Sequence, residues 1–436
     1  MIYFVVAKQI IKQIMSKGTH FIGQPLLCQL LKSLDKDKIL RLSKKNGGER
    51  YVKTFDGWHH LVVMLYAVIM RFDSLREIMA STLAEARKLG HLGITTMPKR
   101  STLSDANARR PAAFFEAVYR DLYSSNRERL SSDSRNGSLP KWMRSLQIID
   151  STTITLFSNL IFKGAGRNPK GGKKKGGIKV HKTIHAVEGV ACDVKFTSAA
   201  THDSIMFSPA DFNPGDYLAM DRAYIDIEKL QQLTDRKVVY VTKMKSNLTF
   251  ETISDVWHMA PTGGMAYRIQ EVRFTKKRKD GEAIEHRARI ITYPDIKWCK
   301  GKNGKEKVKS AKLVSLLTND FDLEPKDIIE IYKKRWEIES LFKQVKQNFP
   351  LRYFYGESAN AIKIQIWVTL IANLLLTLMQ RTIKRPWSFS GLATMTRIML
   401  MYYVDYHSFF ENPEKEWQEI LAKTAESPPQ LMLEFE

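Results

Sequence analysis

A chain of 436 residues with 69 Lys and Arg against 46 Asp and Glu carries a formal net charge of +23. That excess asks for a polyanionic partner, and nucleic acid is the default because cations that neutralise phosphates release condensed counterions. With 44% hydrophobic residues the chain can build two or three cored domains. Its three cysteines, Cys28, Cys192 and Cys299, lack any paired spacing, which excludes a disulfide framework and a zinc site and points to a reduced, intracellular protein. The strongest apolar runs, 60–72 and 366–379, fall short of the ~20 residues that span a bilayer and read as buried core helices. No export signal is visible, so no membrane is expected.

Residues 1 to about 130 carry helical periodicity, over 8–15, 25–42, 55–72, 75–88 and 103–130, the last broken at Pro111. Between the last two helices lies a loop with Gly90, Gly93 and Pro98, followed by Lys99, Arg100, Ser101 and Thr102. Thr102 and Asp105 have the spacing of a capping box. Helix, glycine-bearing loop and short basic helix make a helix-turn-helix reader of DNA, with Arg100 toward the nucleic acid. An ordinary helical bundle has the same pattern and is commoner; only the charge of the chain favours DNA. The stretch 124–141, rich in Ser, Arg and Asn, is a linker.

Past the linker the period changes from that of a helix to that of a strand. Short β-rich runs occupy 146–156, 179–187, 189–199, 217–221 and 237–244, the first three joined as in a meander. A helical stretch at 225–233 makes the last two a parallel crossover. From 250 to 312 apolar and polar residues alternate, as in a β-rich insertion. The chain returns through 312–317 to helical patterns at 328–349, 361–381, 389–406 and 414–425. The fold class expected from this order is α/β.

Wound as a helix, at ~100° per residue, 328–349 aims Tyr332, Arg335, Glu339 and Lys346 within an arc of roughly 60°. Ile331, Ile338, Leu341, Phe342, Val345 and Phe349 form the adjoining apolar arc, which puts Glu339 at the rim of a core while Glu330 and Glu337 face solvent. Two further acids stand at strand positions. Asp150 closes the apolar run Leu146 to Ile149, and Asp221 follows Tyr217 to Met220 at the carboxyl end of a parallel strand, where ligands collect in open α/β sheets. Either aspartate alone is more often a turn or cap residue. Together with Glu339 they suit a pair of Mg2+ ions, with Mn2+ able to substitute, ~3.5–4 Å apart on a phosphodiester. Arg335 and Lys346 then act as charge clamps on the strand, and Tyr332 as a phosphate hydrogen-bond donor.

The run 163–179 contains no acid and includes Lys173, Lys174 and Lys175. It lacks the Gly-x-x-x-x-Gly-Lys-Ser/Thr pattern of a phosphate loop. A basic loop that grips the DNA backbone beside Asp150 and a solvated hairpin both fit it. His181, His185 and His202 have no coherent ligand spacing and read as structural. Asp203 is a possible extra acid near the site. Asp193 reads as a solvent-facing strand residue, and Asp226 competes with Asp221 from the crossover helix.

Tyr332, Arg335, Glu339 and Lys346 have the spacing of the Tyr-Arg-Glu-Lys motif, and the chain resembles bacterial insertion-sequence transposases of the DDE type, in the IS-four group. The segments around Ile149 to Thr152 and Met220 to Tyr224 are similar to those carrying that family's first two acids, and Tyr240 to Lys243 to a strand of its relatives. The resemblance spans about 145–380. It implies an RNase H-like catalytic core, a mixed five-stranded sheet with helices, interrupted by the β-rich insertion. It also implies magnesium-dependent cut-and-paste transposition through a hairpin intermediate, with Asp150, Asp221 and Glu339 as catalytic metal ligands and Tyr332, Arg335, Lys346 and Lys243 on the DNA. An aromatic that stacks on a flipped base belongs to the hairpin step; Trp298 and Trp257 are the candidates.

The resulting expectation is a helical DNA-binding domain at 1–140, a catalytic core in two parts at 141–249 and 316–385, an insertion at 250–315 and a helical C-terminal region at 386–436. Its partners are double-stranded DNA, as terminal inverted repeats and target, and a second copy in a homodimeric synaptic complex. Its place is the bacterial cytoplasm, associated with the nucleoid. The rival readings are a nuclease or junction resolvase on the same fold, which cuts without joining, and a catalytically silent DNA-binding protein.

Overall fold

A computed structural model describes residues 23–131, 139–155, 166–167, 176–198, 201–258, 266–278, 281–300, 306–351, 353–415, 418, 419 and 422. Two compact units emerge, one of residues 130–343 and one of residues 1–129 with 344–436.

The 130–343 unit is built on one mixed sheet. Its strands are β1 (Leu146–Thr155), β2 (Gly166–Arg167), β3 (Gly176–His185), β4 (Ala191–Ser198), β5 (Tyr217–Met220), β6 (Val239–Lys243), β7 (Glu251–His258), β8 (Tyr267–Lys277), β9 (Ala283–Lys300) and β10 (Glu306–Thr318). They follow the order β2-β3-β1-β5-β6-β10-β9-β8-β7, with β4 also paired to β3. β1, β3 and β4 form the antiparallel meander, whereas β1, β5 and β6 run parallel. The crossover between β5 and β6 is the helix Ile227–Asp235, whose first turn is capped by Asp226 and which buries Ile227, Leu230 and Leu233. Those side chains join Leu218, Met220, Tyr224, Tyr240, Phe274, Ile290 and Leu317 in a single core, each contributing about 1.5–3 kcal/mol of burial.

The β-rich stretch adds strands to this same sheet. β10 pairs antiparallel with β6, and β9, β8 and β7 follow outward as hairpins. The tie is long-range: Leu317 sits opposite Thr242. The helical pattern at 328–349 is interrupted. It forms Pro325–Lys334 and Trp336–Asn348, separated at Arg335. Three-residue hydrogen bonds from Arg335 N to Tyr332 O and from Ile338 N to Arg335 O tighten the chain there, a local 3-10 turn of the kind that kinks helices. Arg335 keeps right-handed helical dihedrals, and Tyr332, Arg335 and Glu339 stay together across the break.

The other unit is helical among the described residues. Helices Lys36–Lys45, Gly57–Met70 and Leu75–Ala84 are capped by Asp35, Asp56 and Ser74. Arg100–Arg109 and Ala112–Ser131 separate at Arg110 and Pro111, where proline removes a helical donor. The expected capping box is not formed: Arg100–Arg109 starts after Lys99, and no side chain caps it. The run 389–406 also divides, into Phe389–Met399 and Tyr406–Glu411. Ala359–Thr382, at 24 residues, is long and apolar enough to cross a membrane, longer than its apolar run suggests. Its apolar window is 89% buried inside the protein, as a core helix is, and Gln365 within it donates to Pro350 O and Tyr353 O.

Candidate active site

Strand register brings the two aspartates level. β1 and β5 pair in parallel up to Ile149 opposite Met220, and the next residue on each chain is Asp150 and Asp221. β1 continues past them to Thr155 beside β3, in keeping with the β-rich run at 146–156. Asp150 therefore stands where its parallel neighbour ends and the sheet opens. β5 and β6 pair as far as Met220 opposite Thr242, which puts Lys243 at the same end of β6. Asp221 accepts from Ala223 N at 2.9 Å and starts the turn Arg222–Tyr224.

Arg335, on the helix break, joins the third acid to the first. Its Nη1 donates to Asp150 Oδ2 at 3.2 Å, and its Nη2 lies 2.8 Å from Glu339 Oε1. The guanidinium lies near the rings of Tyr332 and Trp336, at 5.8 and 5.3 Å. Its side chain is only 8% exposed, and its Nε is buried without a partner. Burial pushes the Asp150 carboxyl up to about 6; the Ser151 amide and Arg335 pull it down, while Asp221 and Glu339 push it further up. Burial likewise raises the Tyr332 phenol, with Asp221 and Arg222 both close enough to act on it. Thus Asp150, Asp221, Glu339, Tyr332 and Arg335 share one electrostatic neighbourhood. Among the described residues no three His, Cys, Asp or Glu side chains stand close enough to hold one ion as they are placed.

The remaining sequence candidates distribute as follows. Lys346 lies on the same helix as Glu339, and burial lowers its ammonium pKa. Arg100 is exposed at the start of its helix in the other unit. Lys173, Lys174 and Lys175 lie outside the described residues, as does the side chain of Trp298. Trp257 is exposed on β7, with Arg268 over its ring at 5.7 Å. Asp226 is engaged as a helix cap and with Lys276 Nζ at 2.9 Å.

Sequence reasoning passed over what holds Asp150 from behind. Ser151 points to the opposite side of the strand from Asp150 and donates to Asp203 Oδ1 at 2.7 Å. Lys179 Nζ and His181 Nδ1 lie 3.3 and 3.6 Å from the same oxygen, and His181 Nε2 is 2.7 Å from Thr197 Oγ1. His181 is thus held in place by these contacts, and Asp203 ties the strand through Ser151 and Lys179 while acting, with Asp150 and Asp221, on the phenol of Tyr224. Only the period-two alternation after Asp150 signalled this.

A family model described as a transposase DDE domain matches residues 141–375, more than half of the chain, and one described as a domain of unknown function matches 22–95. A putative transposase, y4zB, of Sinorhizobium fredii is 26% identical over 65% of this chain and 72% of its own length. The probable transposase for insertion sequence element IS5377 of Geobacillus stearothermophilus is 23% identical over 62% of this chain and 63% of its own length. The putative transposase for element IS4SA of Synechocystis is 26% identical over 64% and 71%. The chain thus spans about two thirds of the length of these relatives. The matched span 141–375 holds every residue of the acid cluster and the Tyr-Arg-Glu-Lys stripe, and the chain belongs to the transposases with a DDE domain.

Proposed function

We propose that the chain excises and inserts an insertion sequence, binding the element's terminal inverted repeats and catalysing DNA cleavage and strand transfer at Asp150, Asp221 and Glu339. The observation that carries this reading is the guanidinium of Arg335 between Asp150 and Glu339, at 3.2 and 2.8 Å, beside a second strand-end aspartate. The strand order β4-β3-β1-β5-β6, with three antiparallel strands followed by two parallel ones, supports an RNase H-like core for residues 141–249 and 316–385. On this reading residues 250–315 are its insertion, 1–140 bind DNA and 386–436 close the chain.

The donor set fits a hard divalent cation. All three ligands are carboxylates, and burial holds the Asp150 carboxyl up, with Asp221 and Glu339 adding to it, so a cation there would relieve both the burial and the mutual repulsion. Mg2+, or Mn2+ in its place, would supply Lewis acidity at the phosphodiester when bound. The chain's own groups do the rest. The sheet holds Asp150 and Asp221 level; Arg335 orients Asp150 and Glu339 in the absence of DNA. Tyr332 donates its phenolic proton to a phosphate oxygen, and Lys346 and Lys243 hold the strand by charge. Lys173, Lys174 and Lys175 extend that grip. Two ends cut in concert need two active sites, hence a homodimer on DNA. The hairpin route, with Trp257 or Trp298 on a flipped base, and a nucleoid location in the bacterial cytoplasm complete the proposal.

A strand-transfer assay tests it. Incubated with Mg2+, duplex bearing the element ends and a target plasmid, the protein yields products joined to target, and Glu339→Gln yields none. Nicked ends without joining overturn transposition in favour of a nuclease, and cleavage unchanged in Glu339→Gln overturns the assigned site.

A further inference from the structure

In the helical unit the loop after Lys36–Lys45 is built from below and bare above. Arg110, 5% exposed, donates through Nε to Gly48 O at 2.9 Å and through Nη2 to Phe55 O at 2.8 Å, pinning both ends of the loop. Glu49, the only acid from Lys44 to Thr54, is turned inward: it accepts from the Ser43 hydroxyl and from Gly57 N at 2.7 Å. A Cβ at Gly48 or at Gly57 would collide with Ser43, so glycine at both positions lets the loop close on its anchor. What faces outward is cationic. Lys44, Lys45, Arg50 and Lys53 are all exposed, and none of them has an acid partner among the described residues. Tyr51 stands between the last two, 89% exposed and at a left-handed φ of 59°, with the Arg50 guanidinium 5.1 Å from its ring centre. A bulky residue rarely takes that conformation without a compensating gain, and folding gains nothing from a ring left in water.

We propose that residues 44–53 are a duplex-DNA contact, in which Lys44, Lys45, Arg50 and Lys53 neutralise backbone phosphates and the Tyr51 ring packs against the sugar-phosphate edge or a base. This gives a role to a segment within the match to a domain of unknown function at 22–95. It rests on the DNA-transposase reading but needs no part of the acid cluster. Charge decides the partner: a pinned loop with four outward cations and its one acid withdrawn complements a polyanion.

The test is fluorescence anisotropy of the full chain with end-labelled duplex carrying the element ends, over a salt series. Neutralising all four cations to Gln lowers the slope of log K against log salt by about 0.9 per lost phosphate contact, about 3.6 in total, and weakens binding at least tenfold. Tyr51→Gly, which the left-handed backbone tolerates, weakens binding without changing the slope. If the quadruple variant does not fold, single Lys44→Gln and Lys53→Gln variants each lower the slope by about 0.9. Wild-type protein that binds steeply with salt, alongside variants that bind as tightly and as steeply, overturns this surface alone. Wild-type protein that binds no duplex overturns the transposase reading beneath it.

Discussion

Replacing Arg335 by Met keeps the bulk under Tyr332 and Trp336 but removes the cation that bonds both Asp150 and Glu339. The Glu339 side chain is 36% exposed, so that half of the pairing contributes under about 1 kcal/mol. The Asp150 half is different: the two side chains are 17% and 8% exposed, and an uncompensated charge in such a site costs about 3–5 kcal/mol. At pH 9, where Asp150 escapes least by protonation, the metal-free variant should therefore melt roughly 6–20 °C below wild type, at 2–4 °C per kcal/mol for a unit of this size. Two controls identify the cause. Asp150→Asn added to Arg335→Met should recover at least half of the loss, and Mg2+ should raise the variant's midpoint more than that of wild type. Since Arg335 holds Asp150 down from a still higher value than about 6, the variant's deficit exists where its Asp150 is ionised, shrinks as pH falls toward 6 and is gone below it. A melting point within about 2 °C of wild type, or no recovery in the double variant, would refute the reasoning.

Further outcomes follow from the same geometry. His60, fully buried between Phe55 and Phe115 with Asn107 Oδ1 at 2.8 Å, is lowered to about 3, first by burial and then by Arg110. The unfolded chain takes up a proton that the folded one refuses, so this contribution to stability is whole above pH 6.5 and declines below it. At pH 5 the loss is about 2 kcal/mol; chemical denaturation at pH 7 and pH 5 should show it, and His60→Gln, though less stable, should lack it. Asp203→Asn loses the ionic hold on Lys179 and Ser151 behind Asp150 and should slow end cleavage about 10–100-fold while leaving duplex affinity unchanged. A fall in affinity with cleavage intact would contradict its assignment as a support for the strand.

The acids were legible because their signals are local. An aspartate after an apolar run and another at the close of a parallel strand needed only the strand period, and the register of Ile149 with Met220 brought them level. The stripe of Tyr332, Arg335 and Glu339 needed only the helix period, and it survived the unforeseen break because Arg335 stays in right-handed helical geometry. What escaped depends on partners far along the chain. Period two marks β7 to β10 as strands, but their joining of the same sheet rests on β10 finding β6. Similarly, Ser151 meeting Asp203 and Arg110 reaching the carbonyls of Gly48 and Phe55 join segments about fifty or more residues apart. The inward turn of Glu49 toward Gly57 reverses the usual expectation that a loop carboxylate faces water, and leaves that surface more positive than its sequence suggests.

The direct test of the acid cluster is to load the protein with Fe2+ in place of Mg2+ and start hydroxyl-radical chemistry with ascorbate and peroxide. If Asp150, Asp221 and Glu339 bind the same cation, backbone cuts fall together around all three residues, compete with added Mg2+ and vanish in Asp150→Asn. Cuts confined to one of the three segments, or a pattern unchanged by Asp150→Asn, would show that these carboxylates do not form one metal site.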